Sequence, residues 1–278
     1  MSDSLKALVI ALADDELVLG HRHSEWTGYA PHIEEDVAFS SIAQDEIGHA
    51  AAYYSLLARL SDDDPDRIAL GRKPGEYRHA VLCERPNSEW AYTLARHWLY
   101  DVADDLRLEA LEGSAHDELA QLATKIRREE RYHLLHADSW MKRIARGPVE
   151  GRTKLEEALS HAFPESIGLF EPLELEDDAV EQGWLPTPSI ELQGHFLARA
   201  AGTLDELGMP TEVKASLDET AEFVASSSGD LISRTESRVE EPERPSGLGG
   251  REGHHTEDFE RLWEVMTMTF RGDSDATW

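Results

Sequence analysis

Apolar residues recur along most of this chain at alternating steps of three and four, the period of one helix face, and the first 146 residues keep it almost without a break. Segment 4–28 is apolar at Leu5, Val9, Leu12, Leu19 and Trp26, and YAPH (29–32) ends it because Pro31 disfavours helix at Ala30. A second helix is predicted from about 32 to 60, stopping at SDDDPD (61–66). Residues 67–87 read as a short helix or irregular crossover, broken by Lys73-Pro74-Gly75 and Pro86-Asn87. Ser88 is placed to cap a third helix reaching Glu112, and Gly113-Ser114 separates it from a fourth, about 115–145, closed by Gly147-Pro148. Two short turns make two antiparallel hairpins. The long 61–87 link joins them into an all-α four-helix bundle with one long crossover.

The second half is less regular. KLEEALSHAF (154–163), IELQGHFLARAAGTLDEL (190–207) and FERLWEVMTMTF (259–270) read as helices, 170–189 as a Pro-rich acidic connection, and 226–253 as a long loop. The expected organisation is a bundle core at 1–148, with a helical extension at 149–278 packed on the same domain.

The polar positions change the picture where they break the apolar stripes. Glu46 and His49 lie on the stripe of Phe39, Ile42, Tyr53, Leu56 and Leu60; Glu130 and His133 lie on that of Leu119, Ala123, Ile126, Ala137, Trp140 and Ile144. Four E-x-x-H matches occur. Glu76…His79 and Glu252…His255 sit between Gly and Pro breakers, where no helix presents them to a core, and are set aside as ligands. Each hairpin's first helix adds an acid: Glu16 with Leu5, Val9, Leu12, Leu19, His23 and Trp26, and Asp101 with Leu94, Trp98 and Leu108. Asp15 can stand in for Glu16, and Asp104 or Asp105 for Asp101.

Ionised carboxylates in an apolar seam cost several kcal/mol unless neutralised, and four of them also repel. The plain alternative is salt-bridged acids and histidines that fill core. A pair of metal ions removes the penalty, and one carboxylate from each of two helices with Glu-x-x-His from the other two is the ligand set of di-iron and di-manganese bundles. Glu16, Glu46, His49, Asp101, Glu130 and His133 are therefore the expected metal ligands, for two iron ions or manganese. His23, Tyr53, His97 and His136 lie near enough to support them, with core packing the plainer role for Tyr53.

Composition narrows the partners. Acids number 56 against 27 bases, a net charge of −29, which disfavours nucleic acid and anionic membranes. A solvated acidic surface, adapted to high salt as a hypothesis, accounts for the excess. One cysteine, Cys83, leaves no disulfide framework or thiolate cluster within one chain. No apolar run of spanning length occurs and MSDSLKALVIALADDE lacks a signal-peptide start, so a cytoplasmic protein is expected.

The stretches EWTGYAP (25–31), AQDEIGHAAAYYS, PNSEWAYTLARHWLYD (86–101), REERYHLLHAD and GREGHHTE (250–257) together resemble the phenylacetyl-CoA ring-1,2-epoxidase family. That resemblance implies a ferritin-like fold and a multicomponent oxygenase that pairs a catalytic di-iron A-type subunit with a homologous, structural C-type subunit. The 86–101 stretch, the late histidines and the terminal Trp278 look like the C type; QDEIGH and the intact ligand set look like the A type. Implied partners are the other oxygenase subunits (a homologous A-type subunit or further copies of this chain), a reductase component and an aromatic acyl-CoA substrate. The alternative it implies is a scaffold without metal. Arg127, Arg128, Arg131, Lys142, Arg143 and Arg146 either meet CoA phosphates or form the solvated face of the fourth helix. Gly253-His254-His255-Thr256 is a metal or substrate site or, more plainly, a stretch ending in an N-cap at Thr256.

Overall fold

A computed structural model describes residues 2–209 and 247–273. The four long helices are α1 (Asp3–Ser24), α2 (Ile33–Ser61), α5 (Trp90–Leu111) and α6 (Asp117–Ala145), and among the described residues there is no strand. The crossover holds α3 (Pro65–Leu70), a 3-10 turn at Pro74–Glu76 and α4 (Val81–Glu84). After them come α7 (Val149–Ser166), a 3-10 turn at Ile167–Phe170, α8 (Glu176–Glu181) and α9 (Ser189–Glu206). A 3-10 turn at Gly250–Glu252, α10 (Glu257–Met266) and α11 (Met268–Gly272) close the described chain. No helix among the described residues is long and apolar enough to cross a membrane.

Local chemistry sets the ends. The first helix stops at Ser24, earlier than the apolar pattern suggested, because the chain turns through Gly28 at φ +83 and ties its N–H to Asp36 Oδ1. Asp64 caps α3, accepting from the Arg67 N–H at 2.9 Å. Ser88 does not cap α5; Glu89 occupies that place without a side-chain cap. Thr256 does cap α10, accepting from the Asp258 N–H. The helix expected at 154–163 is longer, Val149–Ser166. Of the expected 226–253 loop, 226–246 falls outside the described residues.

α1 pairs along α2 and α5 along α6, while α2 and α6 touch far less. α7 and α9 pack on the outer side of α5. Two kinds of helix result: α1 and α5 are buried nearly all round, whereas α2 and α6 bury one face and show acids and arginines to water. Gly20 permits the close α1–α2 approach. A Cβ there would lie 2.9 Å from Ile47 Cγ1 and 3.2 Å from Glu46 Cβ.

Three consecutive acids on α1 point three ways. Asp14 accepts from the Tyr54 hydroxyl, the Arg72 guanidinium and the Arg78 N–H, and so pins the crossover. Asp15 takes Arg107 of α5 at 2.7 Å, Arg251 of the C-terminal segment at 2.7 Å and the Ala80 N–H at 2.8 Å. Glu16 points between the four long helices.

Candidate metal centre

Glu16, Glu46, His49, Asp101, Glu130 and His133 are all buried. The structure brings Glu16, His49 and Glu130 together so that one ligand atom of each lies within 4.8 Å of the others. His49 Nδ1 is 3.4 Å from Glu16 Oε2 and 3.2 Å from Glu130 Oε1; His133 Nδ1 is 3.0 Å from the same Glu130 oxygen. None of these approaches is aligned as a hydrogen bond, and Glu16 Oε2, His49 Nδ1, both Asp101 oxygens, both Glu130 oxygens and His133 Nδ1 have no hydrogen-bond partner. Seven orphaned polar atoms from four helices facing one interior is a costly arrangement for a protein core. A shared cation would satisfy them together, so this donor set, imidazole and carboxylate without thiolate, fits an iron or manganese pair.

The outer atoms of both imidazoles are occupied. His49 Nε2 pairs with Glu129 Oε2 at 2.8 Å and His133 Nε2 with Asp45 Oδ2 at 3.3 Å, each acid standing just before the Glu of the other helix's E-x-x-H. Tyr100 donates to Glu16 Oε1 at 2.9 Å. Sequence reasoning missed Asp45 and Glu129, although an acid preceding both motifs was the available signal.

Glu46 departs from the expected cluster. Its carboxylate turns to His23, with Nδ1 at 3.0 and 2.9 Å from its two oxygens, and His97 stands beside them. His97, His23 and His136 ring Phe39, and His136 reaches Glu35 at 2.8 Å. Tyr53 is buried in the core, the plainer of its two expected roles.

The substitutes for the ligands are engaged elsewhere. Asp15 is held by two arginines, and Asp105 by Arg127 at 3.1 Å and Arg199 at 2.6 Å. Asp104 keeps Arg107 at 2.9 Å on one oxygen while its other oxygen is orphaned.

Electrostatics follow from this packing. Burial, with Glu16 next, pushes the Glu46 carboxyl well above its usual range; burial, with Glu130 next, does the same to Asp101. Burial opposes the charged form of His49 too, yet the Glu130 and Glu16 carboxylates outweigh it and push its pKa up to about 11. His133 likewise rises against burial to about 12, chiefly through the charge of Glu130. Burial works against the Glu130 carboxylate as well, but His133 and His49 hold its pKa below the ordinary value. The Glu130 carboxylate thus faces both imidazoles and favours their charged forms. Burial, then Arg96, keeps His23 neutral by pulling its pKa well down.

Of the arginines considered for an anionic ligand, Arg127 is taken by Asp105, Glu109 and Glu112, and only part of that face remains for a ligand. A cleft of about 620 Å³ there is lined by Arg127, Arg128, Arg131 and Arg199 with Leu134 and Leu135.

The chain is similar along its length to known proteins. The family model described as "Phenylacetic acid catabolic protein" matches residues 1–278. The chain is 31% identical over 182 residues to the C subunit of 1,2-phenylacetyl-CoA epoxidase from Escherichia coli strain K12, covering 65% of this chain and 73% of that protein. It is 24% identical over 161 residues to the A subunit of the same epoxidase, covering 55% of this chain and 52% of that protein, about half its length. A match along the whole sequence, joined to an all-helical bundle with buried acids and imidazoles at its centre, places this chain in the phenylacetic acid catabolic protein family.

Proposed function

We propose that this chain is a component of an aromatic acyl-CoA oxygenase of the phenylacetyl-CoA epoxidase type, similar to its C subunit, and that it retains a metal pair at the bundle centre. Glu16, Glu46 and His49 from one hairpin and Asp101, Glu130 and His133 from the other would hold two irons, with manganese the alternative. When bound, the irons would supply O2 activation for insertion of one oxygen atom into the aromatic ring of a CoA thioester, with electrons from a reductase component.

The chain's own residues do the positioning. Glu129 and Asp45 fix the rings of His49 and His133 by holding their outer nitrogens, which leaves both Nδ1 atoms facing inward. Tyr100 orients Glu16 through its bond to Oε1. His23 holds Glu46 through Nδ1 at 2.9 Å, and ligation would require that carboxylate to turn from the imidazole. Phe39 packs against His23, His97, Trp90 and His136 and helps keep water from the interior.

The observation that carries this reading is the set of orphaned inward atoms on all four helices. One observation favours a second reading, a metal-free structural component that scaffolds a catalytic A-type partner: Glu46 is already satisfied by His23. Anaerobic iron loading followed by metal analysis separates them. About two irons per chain supports the metal-retaining component; a metal-free chain with intact helices sinks it and leaves the scaffold.

A further inference from the structure

The two E-x-x-H pairs outside the bundle do not act as pairs, yet their histidines meet. His79 lies in the crossover just before α4, and His255 lies in the loop before α10, 176 positions on. Between them stands Glu84, the last residue of α4. His79 Nε2 is 2.7 Å and His255 Nδ1 2.8 Å from one atom, Glu84 Oε2, and the two rings stack with centroids 4.0 Å apart and planes 11° from parallel. The side chains of His79 and Glu84 are fully buried and that of His255 is 3% exposed.

The hydrogen-bond roles leave a gap. His255 Nε2 lies 3.1 Å from the Tyr77 carbonyl, an oxygen that only accepts, so Nε2 carries the hydrogen. In the neutral ring Nδ1 is then a bare lone pair, and it faces a carboxylate oxygen. Two lone pairs at 2.8 Å would repel, so a positive species, either a proton on His255 Nδ1 or a bound cation, belongs between them. His79 aims a second nitrogen at the same point, and its own Nδ1 has no partner. The surroundings match how metal ligands are held: a backbone carbonyl fixes the His255 tautomer, and the Thr256 N–H fixes the other Glu84 oxygen at 2.7 Å.

We propose that His79 Nε2, His255 Nδ1 and Glu84 Oε2 form a second, structural site for a divalent cation, best matched by zinc, clasping the C-terminal segment to the crossover. Two imidazoles and one carboxylate are a known zinc donor set, with a fourth position for water; because stacked rings direct their lone pairs along nearly parallel lines, binding requires the His79 ring, whose Nδ1 has no partner, to turn out of the stack. The site shares no residue with the bundle centre, so it stands or falls apart from the oxygenase reading. The clasp joins segments already in close touch: a Cβ on Gly250 would lie 2.2 Å from the His79 carbonyl oxygen.

The full chain is stripped with a chelator, re-equilibrated with zinc, freed of excess and assayed for metal, alongside His79→Gln, His255→Asn and, as a control at the bundle centre, Glu46→Ala. Zinc content should fall by about one per chain in each histidine variant but not through this site in Glu46→Ala, and zinc affinity at the clasp should drop by more than about 100-fold. His79→Gln places an amide where Nε2 stood, able to donate to Glu84, so it reports even where His255→Asn fails to fold. A zinc-edge anomalous peak between the three side chains in crystals of the wild-type chain is the matching direct result. Unchanged zinc content in His79→Gln, or no such peak, overturns the site and leaves a proton between His255 and Glu84.

Discussion

Replacing Asp101 by Leu tests the metal centre through stability alone. The two side chains are nearly isosteric, so packing changes little. Asp101 is 1% exposed and both its oxygens are orphaned; His97 Nδ1 approaches to 3.2 Å without hydrogen-bond alignment. Leaving a buried polar group unsatisfied costs about 1–3 kcal/mol, and Glu130 adds like-charge repulsion. The metal-free Asp101→Leu protein should therefore be more stable than wild type by about 1–3 kcal/mol. Metal reverses the order. At a free concentration about 100 times the dissociation constant, a bound metal stabilises wild type by about 2.7 kcal/mol, and the variant, lacking a ligand, should gain much less. Urea unfolding followed by circular dichroism, on stripped protein and with ferrous iron under anaerobic conditions, reads both signs. A metal-free variant less stable than wild type by more than about 1 kcal/mol would refute the reasoning, since it would make Asp101 a satisfied structural acid rather than a strained ligand.

Asp15→Asn should cost about 3–5 kcal/mol in unfolding free energy, because it removes the charge that two buried guanidiniums share where α1, α5 and the C-terminal segment meet, taking the carboxylate from Arg251 and leaving Arg107 only Asp104; a loss under about 1 kcal/mol in urea titration would contradict the buried ion triad. The pH dependence of the metal-free protein follows from His49 and His133, whose pKa values in the fold, about 11 and about 12, lie above the ordinary 6.5. A raised histidine pKa stabilises fully below the unfolded value and the gain is lost as pH climbs through the folded one, so the urea midpoint should fall from about pH 7 to about pH 10. His133→Gln should flatten that decline.

How far the sequence alone could go is clearest within single stretches. A helix repeats locally, so the stripes through Glu16, Glu46, Asp101 and Glu130 already placed these acids on buried faces, and the burial of all six expected ligands follows from that period. The same regularity fixed the long helices to within a few residues, α1 being the largest departure. Neighbouring acids were another matter. Asp14, Asp15 and Glu16 are successive residues of one helix, and only the positions of Arg72, Arg107 and Arg251 decide which two are ion-paired and which one faces the bundle centre.

What the chain's local pattern determined was the set of amphipathic helices, their pairing through short turns and the inward register of acids and imidazoles, because each depends on residues within a few turns of one another. Tertiary structure alone decided that Glu46 turns to His23, that Glu129 and Asp45 hold the histidines of opposite helices, and that His79 and His255 share Glu84. Those contacts join residues 23 to 171 positions apart, bar the short His79–Glu84 step. No periodicity encodes such distances; they are fixed when helices pack and every buried polar atom must find its partner.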